Sequence, residues 1–167
     1  MKTPILSGLW LLLVVLAAAG CQPREITALQ RKQAASLESE AKFALNLKEV
    51  DRAEALYAKA AALCPDNAGY WLNLGVCRKR LNRTAEARKA YESALKVHKD
   101  AYAREPKNGH ELLEQVYVLA LLGLMDDAHK ILEKAQADHG DDPRIRGFTR
   151  QSLQKLTDDA AFKGLSL

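Results

Sequence analysis

One triplet of residues occurs three times along this chain and constrains its fold more than any other feature. Each triplet has an alanine, a large residue and a second alanine at positions i, i+4 and i+7: Ala53-Tyr57-Ala60, Ala87-Tyr91-Ala94 and Ala128-Leu132-Ala135. The second triplet follows the first by 34 residues, and the third follows the second by 41. This spacing places the members of a triplet on one face of a helix. Because small residues let a neighbouring helix approach closely, the repetition predicts an array of packed helices.

Length and composition are compatible with such an array. The chain has 167 residues, of which 48% are apolar and 28% are charged, so it is long enough for a core and lacks the bias of disordered chains. Aromatic residues make up only 6%, which favours helices over a β-sandwich. The formal net charge of +4 is too sparse for the dense basic face that binds nucleic acid.

A second motif precedes the middle triplet. Residues 71–75 read Trp-Leu-Asn-Leu-Gly. Together with the middle triplet, this segment resembles the tetratricopeptide repeat (TPR), a helix–turn–helix unit of about 34 residues. The resemblance implies an all-α protein, namely a TPR-type α-solenoid of stacked helix–turn–helix repeats with a C-terminal capping helix.

Three repeats fit this resemblance. They cover residues 34–67, 68–101 and 109–142. Lys99 occupies the place of the family's proline in the second repeat. The seven additional residues before the third repeat correspond to nearly two helical turns. Apolar positions continue on one face to Tyr102, which predicts that the second helix of repeat 2 extends to about residue 106; a loop is the alternative.

Capping residues predict where several helices begin. Residues of N-cap type precede or open four predicted helices: the pair Asp66-Asn67, then Thr84, Asp126 and Asp142. The last of them is followed by a proline in the first helical position, and an apolar stripe then predicts a capping helix over residues 143–157. We expect residues 158–167 to be loosely held.

The first 20 residues have the layout of a secretory signal peptide. Lys2 precedes an apolar run over residues 9–16, and a stretch of small residues follows. The run is much shorter than the roughly 20 residues that span a bilayer, so an uncleaved anchor is the less favoured alternative. We therefore exclude residues 1–20 from the fold.

The end of this segment, residues 16–21, reads Leu-Ala-Ala-Ala-Gly-Cys and resembles the lipobox of bacterial lipoproteins. Ala18 stands where the most common form has leucine. The resemblance implies cleavage before Cys21, covalent lipid on that cysteine, and a tether or helical extension over residues 21–33. Such lipid chains together anchor a protein stably. An ordinary signal peptide that ends near a cysteine is the alternative.

The resemblance also implies a location. In many lipoproteins of this family an aspartate after the lipidated cysteine retains the protein in the inner membrane, and this chain has Gln22 there. We therefore expect a lipid-anchored protein of the cell envelope, at the outer membrane and facing the periplasm, in a host with two membranes.

A search for catalytic and metal-binding groups finds little. The four histidines form no zinc-type pair, and the sequence contains no Cys-x-x-Cys, P-loop or G-x-S-x-G motif. Cys64 and Cys77 have no histidine nearby in sequence, which favours buried structural thiols. Their places on successive helices argue against a disulfide, since the two would lie on the order of 13 Å apart. We predict no catalytic residue, no metal and no cofactor apart from the lipid on Cys21.

The concave face of the predicted array is the remaining candidate for function. In the TPR family, ligand contacts come from the second, fifth, sixth, ninth, twelfth and thirteenth places of a repeat. The polar or aromatic residues at matching places are Lys42, Asn46, Asn73, Lys79, Arg80, His110, Glu114 and Tyr117. Side chains of this kind bind peptide carboxylates and backbone. Asn73 and Tyr117 are the favoured pair.

These observations predict a non-catalytic, membrane-anchored protein–protein interaction module of the bacterial cell envelope. The resemblance suggests an assembly factor for pili, secretion or outer-membrane complexes. Its partner would be a protein or peptide in the concave groove, with no nucleic acid or metal involved. A self-associating structural envelope protein is the alternative, and an enzyme is third.

Overall fold

A computed structural model describes residues 25–167, within which the chain forms nine helices and no strand. In chain order they are α1 (Ala28–Asn46), α2 (Val50–Leu63), α3 (Ala68–Arg80), α4 (Thr84–Arg104), α5 (His110–Leu121), α6 (Met125–His139), α7 (Pro143–Gly147), α8 (Arg150–Asp158) and α9 (Ala160–Lys163). None of these nine helices has both the length and the hydropathy needed to cross a bilayer. The predicted signal peptide and Cys21 lie outside the described residues.

The first six helices form three helix–turn–helix units. α1 packs against α2, α3 against α4, and α5 against α6. The units are joined to one another by contacts of α2 with α3 and of α4 with α5. Each helix therefore packs mainly on its neighbours in sequence, as the helices of a solenoid do. The predicted all-α, TPR-type solenoid is confirmed.

The turn inside each unit has the same geometry in all three. Its central residue has a positive φ, which is 62° at Lys48, 59° at Asn82 and 73° at Gly123. The amide of the next residue donates to a carbonyl five positions earlier, as Arg83 does to Arg78 at 2.8 Å. This is the Schellman motif that commonly ends helices. The three turns are separated by 34 and then 41 residues, so they reproduce the spacing of the triplets.

The longer second spacing comes from α4. This helix continues to Arg104, so the seven additional residues are helical, as the apolar periodicity predicts. Its last two turns contact the third unit through side chains: His98 Nδ1 lies 2.7 Å from Glu111 Oε2, and the ring of Tyr102 packs edge-on against His139. The extension therefore adds side-chain contacts between the second and third units.

The loop after α4 reproduces the loop after α2. In both, the last loop asparagine donates its amide hydrogen to a carbonyl three residues earlier, at 3.1 Å for Asn67 and 3.0 Å for Asn108. Pro65 and Pro106 occupy the same place in these two loops. The proline that the family pattern places at Lys99 is therefore present seven residues later, because the extension of α4 precedes it.

The triplets form the core that they predict. Tyr57 and Tyr91 are 1% and 0% exposed, and all the alanines of the triplets are buried. Burial raises the pKa of Tyr57 to about 12. Close packing of α3 on α4 depends on Gly75, since a Cβ there would lie 2.4 Å from the ring of Tyr91. Small residues therefore bring the helices together around large ones.

Two of the four predicted N-caps are confirmed. The side chain of Asn67 accepts a hydrogen bond from the amide of Gly69 at 2.9 Å, and Asp142 accepts one from the amide of Arg144 at 2.8 Å. Both residues end a loop that follows a helix–turn–helix unit, where the side chain is free to turn back onto the new helix.

The predicted caps at Thr84 and Asp126 are wrong. Thr84 is the first residue of α4 and Asp126 lies in the first turn of α6, while the capping positions belong to Arg83 and Leu124, neither with a side-chain cap. The cause is the Schellman turn, because the residue after its positive-φ position is already the one that precedes the next helix.

At the amino end of the described residues, α1 begins inside the segment predicted as a tether or helical extension. The side chain of Thr27 accepts from the amide of Gln30 at 3.2 Å, and the Gln30 side chain accepts from the Thr27 amide at 2.9 Å. This reciprocal capping box starts the helix at Ala28. Residues 28–33 are therefore a helical extension of the first repeat.

The single capping helix predicted over residues 143–157 is also incorrect. α7 ends at Gly147, and α8 begins after Thr149. Thr149 forms a second capping box with Ser152, in which the Thr149 side chain accepts from the Ser152 amide at 3.2 Å. Because this box satisfies the free amides of a new helix start, the chain breaks between the two helices.

Residues 158–167, which the sequence predicts to be loosely held, contact the repeats at a few points. Phe162 is only 5% exposed. The hydroxyl of Tyr91 donates to the carbonyl of Leu165 at 2.9 Å, and the amide of Leu167 donates to the carbonyl of Leu121 at 2.8 Å. The segment thus packs on the repeats.

Replacing Gly75 with alanine should destabilise the array. The added methyl group would meet the buried ring of Tyr91, and overpacking of this kind typically costs about 1–3 kcal/mol. Urea denaturation would measure the loss. Gly147→Ala is the matched control, because no atom lies within 4 Å of the added carbon. Equal stability of the two variants would contradict the close packing of α3 on α4.

Candidate functional site

The eight predicted concave-face residues lie on the first helices of the three repeats. Two are on α1, three on α3 and three on α5, in the order Lys42, Asn46, Asn73, Lys79, Arg80, His110, Glu114 and Tyr117. All eight are exposed or half-buried. The structure brings the three residues of α5 together in one cleft, whereas those of α1 and α3 do not line it.

On α1 and α3, two of these side chains bond within their own helices. Lys42 Nζ lies 2.8 Å from Glu38 Oε1 one turn away. The amide nitrogen of Asn73 donates to the carbonyl of Gly69 at 2.8 Å. Asn73 was favoured because it offers both a donor and an acceptor to a peptide backbone, and the structure commits one of its donor hydrogens to α3 itself.

A cleft of about 390 Å³ opens between α5 and the C-terminal helices. Its lining residues are His110, Leu113, Glu114, Tyr117, Arg144, Phe148 and Leu156. They come from α5, from α7, from the break after α7 and from α8. The concave side of repeat 3 therefore forms one wall of the cleft, and the C-terminal helices form the other.

The mouth of this cleft carries charges of both signs. His110 Nε2 lies 3.2 Å from Glu114 Oε1, and the guanidinium of Arg144 lies 2.8 Å from the carboxylate of Asp142. Hydrogen bonds from the side chain and the backbone of Arg144 lower the pKa of Asp142 to about 2. The Asp142 carboxylate is thus ionised at neutral pH and holds Arg144 at the start of α7.

The floor of the cleft is apolar. Leu113, Phe148 and Leu156 are half-buried and pack against the main core. Tyr117 stands beside them, and burial, followed by the charge of Glu114, raises its pKa. Its hydroxyl is therefore protonated at neutral pH and is available as a hydrogen-bond donor. A half-buried apolar floor with a polar rim suits an apolar side chain of a peptide.

Four lining residues of the cleft were not predicted. Leu113 occupies the fifth place of repeat 3, which contacts ligands in the family, but its apolar side chain excluded it from a search for polar or aromatic groups. Phe148 and Leu156 were assigned to the buried stripe of one capping helix. Arg144 gives no signal in the sequence, since its position depends on Asp142 and on the break after α7.

Two further clefts lie where the extension of α4 passes the α2–α3 loop. One, of about 380 Å³, is lined by Pro65, Trp71 and Val97 among others, and its neighbour is about 300 Å³. Arg104 lines both. The indole nitrogen of Trp71 donates to the carbonyl of Pro65 at 3.0 Å, which fixes the ring at this edge. These clefts exist because α4 is longer than α2.

The two cysteines of the described region are buried and free, as predicted for structural thiols. Cys64 packs in one core cluster with Ala60 and Tyr70, and Cys77 packs in a different cluster with Tyr57. Burial raises the pKa of Cys77 to about 11, and it raises that of Cys64 as well. Since the thiolate is the reactive form, neither thiol is suited to act as a nucleophile at neutral pH.

Metal-ligating side chains do not converge in the part of the chain that the structure describes. Residues 25–167 hold no group of three or more histidine, cysteine, aspartate or glutamate side chains placed to bind an ion. His139 is engaged with Tyr102, whose hydroxyl lies 3.4 Å from its Nε2 atom.

Comparison with known proteins agrees with this architecture. Residues 88–151 match the family model described as Tetratricopeptide repeat. The match runs from within α4 through α5, α6 and α7 to the start of α8, and so includes the cleft's α5 wall. No curated protein matches the chain. Residues 88–151 are thus similar to tetratricopeptide repeats, which suggest binding to other proteins and are typically not catalytic.

Proposed function

We propose that this chain is a non-catalytic protein-interaction module that is anchored to the bacterial cell envelope through a lipid on Cys21. The observation that carries the binding function is the cleft beside α5, in which His110, Glu114 and Tyr117 meet an apolar floor. Its volume of about 390 Å³ lies in the range of ligand-binding pockets, roughly 300–1,000 Å³.

The chemistry of the cleft favours a peptide over a small charged ligand. Its polar groups are already paired, His110 with Glu114 and Arg144 with Asp142. An isolated anion or cation would have to break these pairs, whereas a peptide would bury an apolar side chain on the floor and exchange hydrogen bonds at the rim. Because rim charges steer partners rather than supply most of the affinity, they tune which peptide binds.

The anchoring function is supported by the sequence before α1. Six residues separate Cys21 from Ala28, the first residue of α1, and a fully extended stretch of that length reaches at most about 25 Å. A lipid on Cys21 would therefore hold the repeats close to the membrane surface. An assembly factor for pili, secretion or outer-membrane complexes at the periplasmic side of the outer membrane fits this combination of anchor and cleft.

Reversing a rim charge should reduce partner binding. Glu114→Lys places a second positive group beside His110 and Arg144, so we expect at least about ten-fold less partner to be recovered by pull-down from solubilised native membranes. Glu92→Lys is the matched control, since this substitution makes the same change of charge at an exposed position of α4. Equal recovery by the two variants, with unchanged circular dichroism, would place the binding surface elsewhere.

Removing the thiol of Cys21 should release the protein from its anchor. We expect Cys21→Ser to lose labelling by a clickable fatty acid and to move to the soluble or precursor fraction, because only a thiol accepts the diacylglycerol. Cys64→Ala is the control, since Cys64 is buried and its loss should leave labelling intact. Labelling of Cys21→Ser at the level of the original chain would rule out the lipoprotein proposal.

Self-association is the second candidate, because α1 and its C-cap residue, Leu47, expose an apolar stripe. Leu29, Phe43 and Leu47 are 64%, 58% and 51% exposed, and their spacing places them within about 40° of one another around the helix. If copies stack through this stripe, light scattering should show a dimer of the original chain and a monomer of Phe43→Glu. A monomer in both cases would remove this alternative.

A further inference from the structure

Part of the concave side of repeat 3 is covered by the chain's own last residues. We call residues 159–167 the C-terminal segment. Asp159 starts it, and its carboxylate accepts from the amides of Ala161 and Phe162 at 2.8 and 3.1 Å. The single turn that follows places the ring of Phe162 edge-on against Tyr117, with centroids 5.7 Å apart. Tyr117 is a residue predicted to contact a partner, so the segment lies where a ligand was expected.

The segment is held in the way that a groove holds a peptide. Beyond the Phe162 anchor, the Tyr91 hydroxyl donates to the Leu165 carbonyl at 2.9 Å. The amide of Leu167 donates to the carbonyl of Leu121 at 2.8 Å. One aromatic side chain in a pocket and main-chain hydrogen bonds farther along are the usual features of peptide recognition.

The surface under the segment differs from the same surface in repeat 2. The twelfth and thirteenth places are Lys79 and Arg80 in repeat 2, half-buried and exposed respectively. In repeat 3 they are Ala120 and Leu121, which are 2% and 0% exposed. The concave side thus changes from basic to apolar along the array, and the C-terminal segment lies on the apolar part.

The segment is attached at few points. Ala160, Ala161, Lys163 and Gly164 are exposed, and α9, the helix of this segment, has only four residues. Phe162 is the one buried residue of the segment, while Leu165 and Leu167 are half-buried. A short segment with a single buried anchor can detach without disturbing the repeat helices.

We propose that the C-terminal segment is a displaceable occupant of the concave groove. When the segment leaves, the groove binds a short segment of a partner protein with the same chemistry. That segment has an aromatic residue followed by aliphatic residues three and five positions later, as in Phe162, Leu165 and Leu167. The inference rests on the proposed peptide-binding function, because it names the class of ligand. In the free protein the tethered segment competes at high effective concentration.

A labelled peptide tests this proposal in the full chain. The probe is a fluorescein-labelled peptide with the sequence of residues 158–167, titrated with detergent-solubilised protein and followed by fluorescence anisotropy. Phe162→Ser should bind it at least about ten-fold more tightly than the original chain, since the tethered competitor has lost its anchor. Phe43→Ser is the matched control, because it makes the same substitution at an exposed phenylalanine of α1, and it should bind the peptide like the original chain. The same peptide carrying the Phe162→Ser change should bind to none of them.

Equal peptide binding by Phe162→Ser and the original chain, with native circular dichroism, would overturn the proposal. If Phe162→Ser does not fold, Leu165→Ser decides, because it removes a half-buried contact of the tethered segment and leaves the groove that takes the peptide unchanged. It should bind the peptide several-fold more tightly than Lys163→Ser, a change at an exposed position of the same segment. Equal binding by these two variants would also overturn the proposal.

The peptide experiment and the partner experiment fail separately. The anisotropy measurement needs no partner, so an unchanged peptide affinity in Phe162→Ser would reject the displaceable segment and leave the Glu114→Lys result standing. The opposite outcome is also possible. If Phe162→Ser binds the peptide more tightly while Glu114→Lys and Glu92→Lys recover the same proteins, the proposed binding cleft is rejected and the occupancy of the groove by the C-terminal segment stands.

Discussion

Contact between the ring of Tyr91 and the bare backbone of Gly75 is the interaction on which the rest of the structure depends. It sets how closely α3 approaches α4, because any side chain at Gly75 would meet the ring. The same tyrosine reaches past α3 with its hydroxyl to the Leu165 carbonyl. One residue therefore joins the two helices of repeat 2 to the C-terminal segment. Its hydroxyl is buried but hydrogen-bonded, so its burial leaves no polar group without a partner.

The repeats were predictable because the sequence pattern that specifies each repeat lies within a short stretch of the chain. The triplets lie within single helices, and their spacing specifies both the buried face and the number of units. The break before Thr149 was not predictable in the same way, since an apolar stripe continues across it and only the capping box with Ser152 interrupts the helix. The position of Phe162 depends on Tyr117, a residue 45 positions away in the chain, and no periodicity within a helix reports such a contact.

The candidate cleft was predictable in part. Transfer of family places located His110, Glu114 and Tyr117, because the register of repeat 3 is correct along α5. The same transfer assigned Asn73 a role in binding backbone, and it could not show that Asn73 donates within α3. The opposite wall of the cleft comes from residues after the repeats, such as Phe148, to which no repeat register applies.

The two additional turns of α4 have a consequence at the other end of that helix. α4 has 21 residues and α5 has 12, a difference in length of about 13 Å. Since α5 starts beside the end of α4, it stops before it reaches the beginning of α4. The C-terminal segment is attached at this point, with Leu167 bonded to Leu121 where α5 ends and Leu165 bonded to Tyr91 of α4. The length of α4 and the place of the segment are thus linked, because the two extra turns set where α5 ends along α4.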